Sequence, residues 1–125
     1  MDNSYRGFLF ETFLINQIRA YNSYSDKNRD LSYYRVSGTN EIDLIIETKR
    51  KTLNVKPEVI CLEFKISKKW DFKWAEPGHG FANQKSVKVT KKIGVYTGNE
   101  ELLRDDFHVY PVRTFIKKLF LGEIF

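Results

Sequence analysis

The stretch from Val59 to Ile66 alternates along its length. Ile60, Leu62, Phe64 and Ile66 lie on one side, and Val59, Cys61, Glu63 and Lys65 on the other. A period of two is the mark of a β-strand, whose successive side chains face opposite ways. Glu41 to Glu47 repeats the pattern, with Ile42, Leu44 and Ile46 opposite Glu41, Asp43, Ile45 and Glu47. Before it, Leu31 to Val36 is rich in aromatic and β-branched residues, and Ser37-Gly38-Thr39-Asn40 supplies a turn. The links are short, the longer being the basic loop Thr48 to Pro57, so the three strands are expected to pair antiparallel. Such a chain must build a sheet and find elements to cover it.

One cover is a helix from about Tyr5 to Tyr21. At 100° per residue, Phe8, Leu14, Ile15, Ile18 and Tyr21 gather on one face, with Glu11 near its centre. A carboxylate there conflicts with burial unless it is paired. Between Ser67 and Lys92, Pro77, Gly78 and Gly80 interrupt any long helix, which predicts a loop with one short helix. Ile93 to Thr97 reads as a buried strand ended by Gly98, and Phe107 to Val109 as a short one. Pro111 suits the first turn of a terminal helix running to about Leu121.

A length of 125 residues fits one domain, here 1–125, large enough to hold a core without disulfides or structural zinc. One cysteine and two histidines make a poor zinc set. No apolar run reaches membrane-spanning length and no export signal opens the chain, so a cytoplasmic domain without membrane contact is expected. The net charge of +5 is unevenly placed: residues 48–92 carry 12 Lys and Arg against 4 Asp and Glu. A concentrated basic field suits a polyanion, although a solvated lysine-rich surface has the same composition.

Four charges stand where periodicity predicts something else. Glu11 lies on the apolar stripe, Asp43 inside an aliphatic strand, and Glu63 and Lys65 two apart in the most hydrophobic strand. Carboxylates converging on one sheet face are costly unless a cation bridges them, and Mg²⁺ favours carboxylates plus water. Taken alone, Glu63 and Lys65 also fit a cross-strand ion pair, and Glu11 also fits a partner such as Arg35 or Lys65.

In order and placement, helical Glu11, strand Asp43 and strand Glu63-x-Lys65 resemble the PD-(D/E)XK nuclease superfamily. The wider pattern resembles the C-terminal domain of bacterial and archaeal AAA-type ATPases of poorly defined role. It comprises Gly7 and Glu11, Tyr34-Arg35, Glu41-Ile42-Asp43, Glu63-Phe64-Lys65, Ile93 to Gly98 and Val109-Tyr110-Pro111. No Gly-rich Lys-Ser/Thr phosphate loop occurs, so these residues do not hydrolyse ATP by that route. The resemblance implies an α/β fold of restriction-endonuclease type, an αβββαβ core around a mixed sheet.

It also implies Asp43, Glu63 and the Phe64 carbonyl as ligands of Mg²⁺ or Mn²⁺, with Glu11 holding a metal-bound water or a second metal. Lys65 would position the attacking water in phosphodiester hydrolysis, with Glu11, Asp43, Glu63 and Lys65 as the catalytic set. Lys68, Lys69, Lys73 and Lys85, interleaved with Trp70, Trp74 and Phe81, are candidates for contact with nucleic acid, DNA in the first instance. The competing expectation is an idle nuclease fold serving as an interaction module, with an AAA-type ATPase or a second copy as partner. His79 is read as non-catalytic and Cys61 as a small buried side chain.

Overall fold

The computed structural model describes residues 3–36, 40–83 and 86–125. Helix α1 (Asn3–Tyr24) leads into strands β1 (Asp30–Val36), β2 (Asn40–Lys49) and β3 (Glu58–Lys65). A 3-10 turn (Phe72–Ala75) runs directly into α2 (Glu76–Ala82), followed by β4 (Lys88–Tyr96), β5 (Leu102–Arg104), β6 (Phe107–Pro111) and α3 (Val112–Phe120). The order through β4 is the αβββαβ succession expected from sequence. The strands form one mixed sheet in the order β1-β2-β3-β4-β6-β5. β1, β2 and β3 pair antiparallel as anticipated, whereas β3–β4 and β4–β6 are parallel.

Both faces of this sheet are covered. On one, Leu14, Ile18 and Tyr21 of α1 and Phe115 and Leu119 of α3 pack on Ile60, Leu62, Phe64, Ile93 and Val95. On the other, Phe81 of α2 meets Ile45, Val59 and Cys61, while Trp70 and Ala75 pack with Tyr96, Phe107 and Val109. Double coverage explains why β3 is buried from Val59 through Phe64 on both sides of its pleat.

Several boundaries depart from the sequence expectation, each for a physical reason. Phe8, expected on the buried stripe, is 61% exposed. The core-buried residues of α1, Leu14, Ile18 and Tyr21, lie in its C-terminal half: 22 residues span about 33 Å, longer than β3 beneath. Ile66 lies just past the end of β3 and is exposed. Pro77 sits at the start of α2, where a missing N–H is harmless, so Pro77, Gly78 and Gly80 are all helical. Pro111 caps α3 instead of entering its first turn. β5 was not anticipated. It joins β6 through the two-residue turn Asp105-Asp106, both at positive φ (50° and 65°), a conformation aspartate tolerates better than most residues.

At the end of α3, Gly122 adopts a φ of +78°. Its N–H donates to the Leu119 carbonyl and that of Glu123 to the Lys118 carbonyl, the paired bonds of a Schellman closure. The turn returns Ile124 to the core, and the Lys91 ammonium donates to the carbonyls of Glu123 and Ile124 at 3.0 and 2.8 Å.

Candidate metal centre

The site arises where the ladder between β2 and β3 stops. Pairing runs from Lys49↔Glu58 to Leu44↔Leu62 and goes no further, although β2 remains bonded to β1 as far as Asn40. On the β1 side, Ser32 pairs with Ile45 and Tyr34 with Ile42, so Asp43 and Leu44 together oppose a single residue. This is a β-bulge. It carries Ile42 away from Leu44 and Ile46 and into the cluster with Ile45 and Phe81, contrary to strict alternation. It also leaves Asp43 at the mouth of the fork between the two strands.

There the side chain does the work of a backbone carbonyl. The Phe64 N–H donates to Asp43 Oδ2 at 2.8 Å, continuing the ladder by one bond. Glu63 is across from Asp43 and only 8% exposed. Burial, together with the charge and hydrogen bond of Asp43, pushes the Glu63 carboxyl up to about 9, and Lys65 opposes the shift. At neutral pH the Glu63 carboxyl keeps its proton. The Lys65 ammonium stands 3.3 Å from Glu63 Oε1 and 5.6 Å from the centre of the Trp74 ring. The acid, its neighbouring acid and the lysine thus meet at one end of β3.

The donors available here are oxygens, which suits a hard divalent cation such as Mg²⁺ or Mn²⁺ better than zinc. A carboxyl held as an acid by burial and by its neighbour marks a place short of positive charge. Among the described residues no group of three or more His, Cys, Asp or Glu is arranged to hold a metal. Glu11, in α1, is half-buried and engaged in an interaction of its own. Lys68, Lys69 and Lys73 are exposed on the segment that follows β3, while Lys85 lies outside the described residues.

The tryptophans behave mainly as packing. Trp70 lies against Gly94, the β4 partner of Glu63, so closely that a Cβ there would stand 2.5 Å from Trp70 Cη2. Its ring also meets Trp74 and Tyr96 edge-on, at 5.1 and 6.0 Å between centroids. Phe81 is buried. Cys61 is buried as expected, and burial pushes its thiol up to about 12.

Sequence reasoning missed the neighbour of this row. Lys92 pairs with Cys61 across the β3–β4 ladder, and its Nζ is 3.0 Å from His79 Nδ1. An ammonium has no lone pair, so Nδ1 accepts and the imidazole is neutral. Burial, then the Lys92 charge, lowers the histidine below its ordinary value, against the pull of Asp105 and Asp106. A signal was available: Lys92 precedes the hydrophobic run Ile93 to Tyr96 and falls on the same face as Gly94 and Tyr96.

Comparison with known proteins adds a family and no activity. A family model described as "Domain of unknown function (DUF4143)" matches residues 6–115. No curated protein and no solved structure matches.

Proposed function

We propose, for a chain that belongs to the DUF4143 family and takes no activity from that description, a metal-dependent nuclease-like site acting on nucleic acid. The observation that carries this reading is the meeting of Asp43, Glu63 and Lys65 where β2 and β3 part. Asp43 and Glu63 would hold Mg²⁺ or Mn²⁺, with the Phe64 carbonyl or water completing the shell and Glu11 acting through water. When bound, the cation neutralises charge on a phosphate and activates water. Asp43 is fixed by the Phe64 N–H, so its carboxylate is presented without further rearrangement. Lys65, poised between Glu63 and the Trp74 ring, orients the attacking water toward phosphorus and stabilises the developing phosphate charge. Lys68, Lys69 and Lys73 extend positive charge along the flanking backbone, which makes affinity fall with salt.

The test is cleavage of labelled single-stranded, duplex and branched DNA with Mg²⁺ or Mn²⁺. EDTA should abolish it, and so should Asp43→Asn, whose amide oxygen can still accept from Phe64 and so preserve the sheet. Cleavage that persists in Asp43→Asn refutes the assignment. A second reading, a nuclease fold whose site is idle and whose surface docks an AAA-type ATPase or a second copy, is favoured by α1. Tyr5, Phe8, Leu9 and Phe13 are all exposed along that helix. Concentration-dependent sedimentation that disappears in Phe8→Ser would support it.

A further inference from the structure

At the opposite end of β2 and β3 from the carboxyl pair, the strands close through a narrow turn. Thr52 and Val55 exchange both backbone bonds, at 3.1 and 3.3 Å, which closes the tip. Leu53 at this tip is 98% exposed, the most exposed large hydrophobic residue described. Lys49, Arg50 and Lys51 approach it on one arm and Lys56 on the other, all of them exposed. Lys88 adds a further cation where β4 begins beside Glu58. The acid closest to these cations in the ladder, Glu58, is taken up by Lys49 at 3.6 Å. Lys49, Lys56, Glu58 and Lys88 edge a groove of about 760 Å³, which also includes Asn54, Asn83 and Val89, with Leu53, Arg50 and Lys51 on the hairpin beside it.

Charge, shape and placement agree on one ligand. Val89 packs with the cluster beneath α2, so the groove opens on the sheet face that carries Glu63. Six residues of extended chain separate Glu63 from Pro57, roughly 20 Å, or about six base pairs of a duplex. A two-stranded β-ribbon fits the major groove of B-DNA, and an apolar side chain at its tip can touch a thymine methyl. We infer that the β2–β3 hairpin is a second DNA contact. Its lysines grip duplex phosphates and Leu53 enters the major groove, while the same duplex passes over α2, which covers that sheet face, toward the carboxyl pair. The inference rests on the proposed reading of that pair and adds the substrate form, double-stranded DNA, with the element that selects it.

The experiment is fluorescence anisotropy with a duplex of about 20 base pairs, longer than the separation above. Salt is varied, EDTA is present so that cleavage plays no part, and matched single strands are run in parallel. The variant Lys51→Glu/Lys56→Glu/Lys88→Glu should weaken duplex binding at least about tenfold and flatten the salt dependence by about one unit per lost phosphate contact. Leu53→Ser should weaken duplex binding several-fold with the salt slope unchanged. Unchanged duplex affinity and slope in the triple variant, with wild-type melting temperature, overturn the inference. An equal loss for single strands overturns duplex selection and with it the groove assignment. Hairpin-dependent duplex binding without any metal-dependent cleavage supports this contact while removing the hydrolytic reading, so the two fail separately.

Discussion

Replacing Glu63 with glutamine should make the protein more stable, and increasingly so as pH rises. The carboxyl titrates near 4.5 in an unfolded chain and is pushed up to about 9 in the fold. Between those values the folded state holds a proton that the unfolded state has released, so stability falls as pH increases. The slope for one proton is about 1.4 kcal/mol per pH unit, or about 3 kcal/mol from pH 6 to pH 8. Glutamine is neutral throughout and its amide can donate to Asp43 as the protonated acid does. For a chain of this length, unfolding entropy near the melting point converts 1 kcal/mol into about 4 °C, so the gap should widen by about 10 °C. The assay is thermal unfolding by circular dichroism in EDTA at pH 6, 7 and 8, for wild type and Glu63→Gln. All other titrating groups are common to both and cancel in the difference. Melting curves that shift in parallel between pH 6 and pH 8 would show that Glu63 does not carry the proton, and the argument for a charge-deficient site would go with it. Added Mn²⁺ should restore wild type more at pH 8 than at pH 6, because the competing proton is held less tightly there, and leave the variant nearly unmoved.

Further outcomes can be checked with the same purified protein. Gly94→Ala should cost about 1–3 kcal/mol in denaturant unfolding, because its methyl would lie 2.5 Å from Trp70 Cη2 and 3.0 Å from Phe107 Cε1. An unchanged midpoint would mean that Trp70 is not seated there. The Lys92–His79 contact requires a neutral imidazole and the histidine is shifted down, so its stabilisation is present above the ordinary histidine range and lost as pH falls through the lowered value. Hydrogen-exchange protection in α2, with the intrinsic pH dependence divided out, should therefore fall on acidification in wild type more than in His79→Gln. Cys61 should resist iodoacetamide at pH 8 until the protein is unfolded, since the thiolate is the nucleophile and its thiol is pushed up to about 12.

The antiparallel part of the fold was legible because period-two alternation and short links are local properties of the chain. Glu63 and Lys65 could be placed together on the same grounds: residues two apart in a strand face the same way. The fork between β2 and β3 was not legible. A bulge depends on how two strands register against each other, and nothing in Glu41 to Glu47 announces that Asp43 and Leu44 share one partner. The start of β4 was set too late because Lys88 to Lys92 looks solvated, yet its backbone pairs with β3 from Lys88 onward. The overhang of α1 was hidden for a similar reason. Helical angle tells which residues share a stripe, and it says nothing about where the underlying sheet ends.

The hydrogen bond from Phe64 to Asp43 ties a reactive group into the backbone ladder, and this fixes the order in which the site could decay in a lineage that no longer used it. Replacing Glu63 by glutamine removes the cost of protonating a buried carboxyl and is stabilising. Losing Lys65, itself partly exposed, removes only its contact with Glu63, at little cost. Losing the Asp43 oxygen strands a main-chain N–H, at about 1–3 kcal/mol. Glu63 would go first, Lys65 next and Asp43 last, so a descendant could keep its aspartate purely as masonry long after the chemistry had gone.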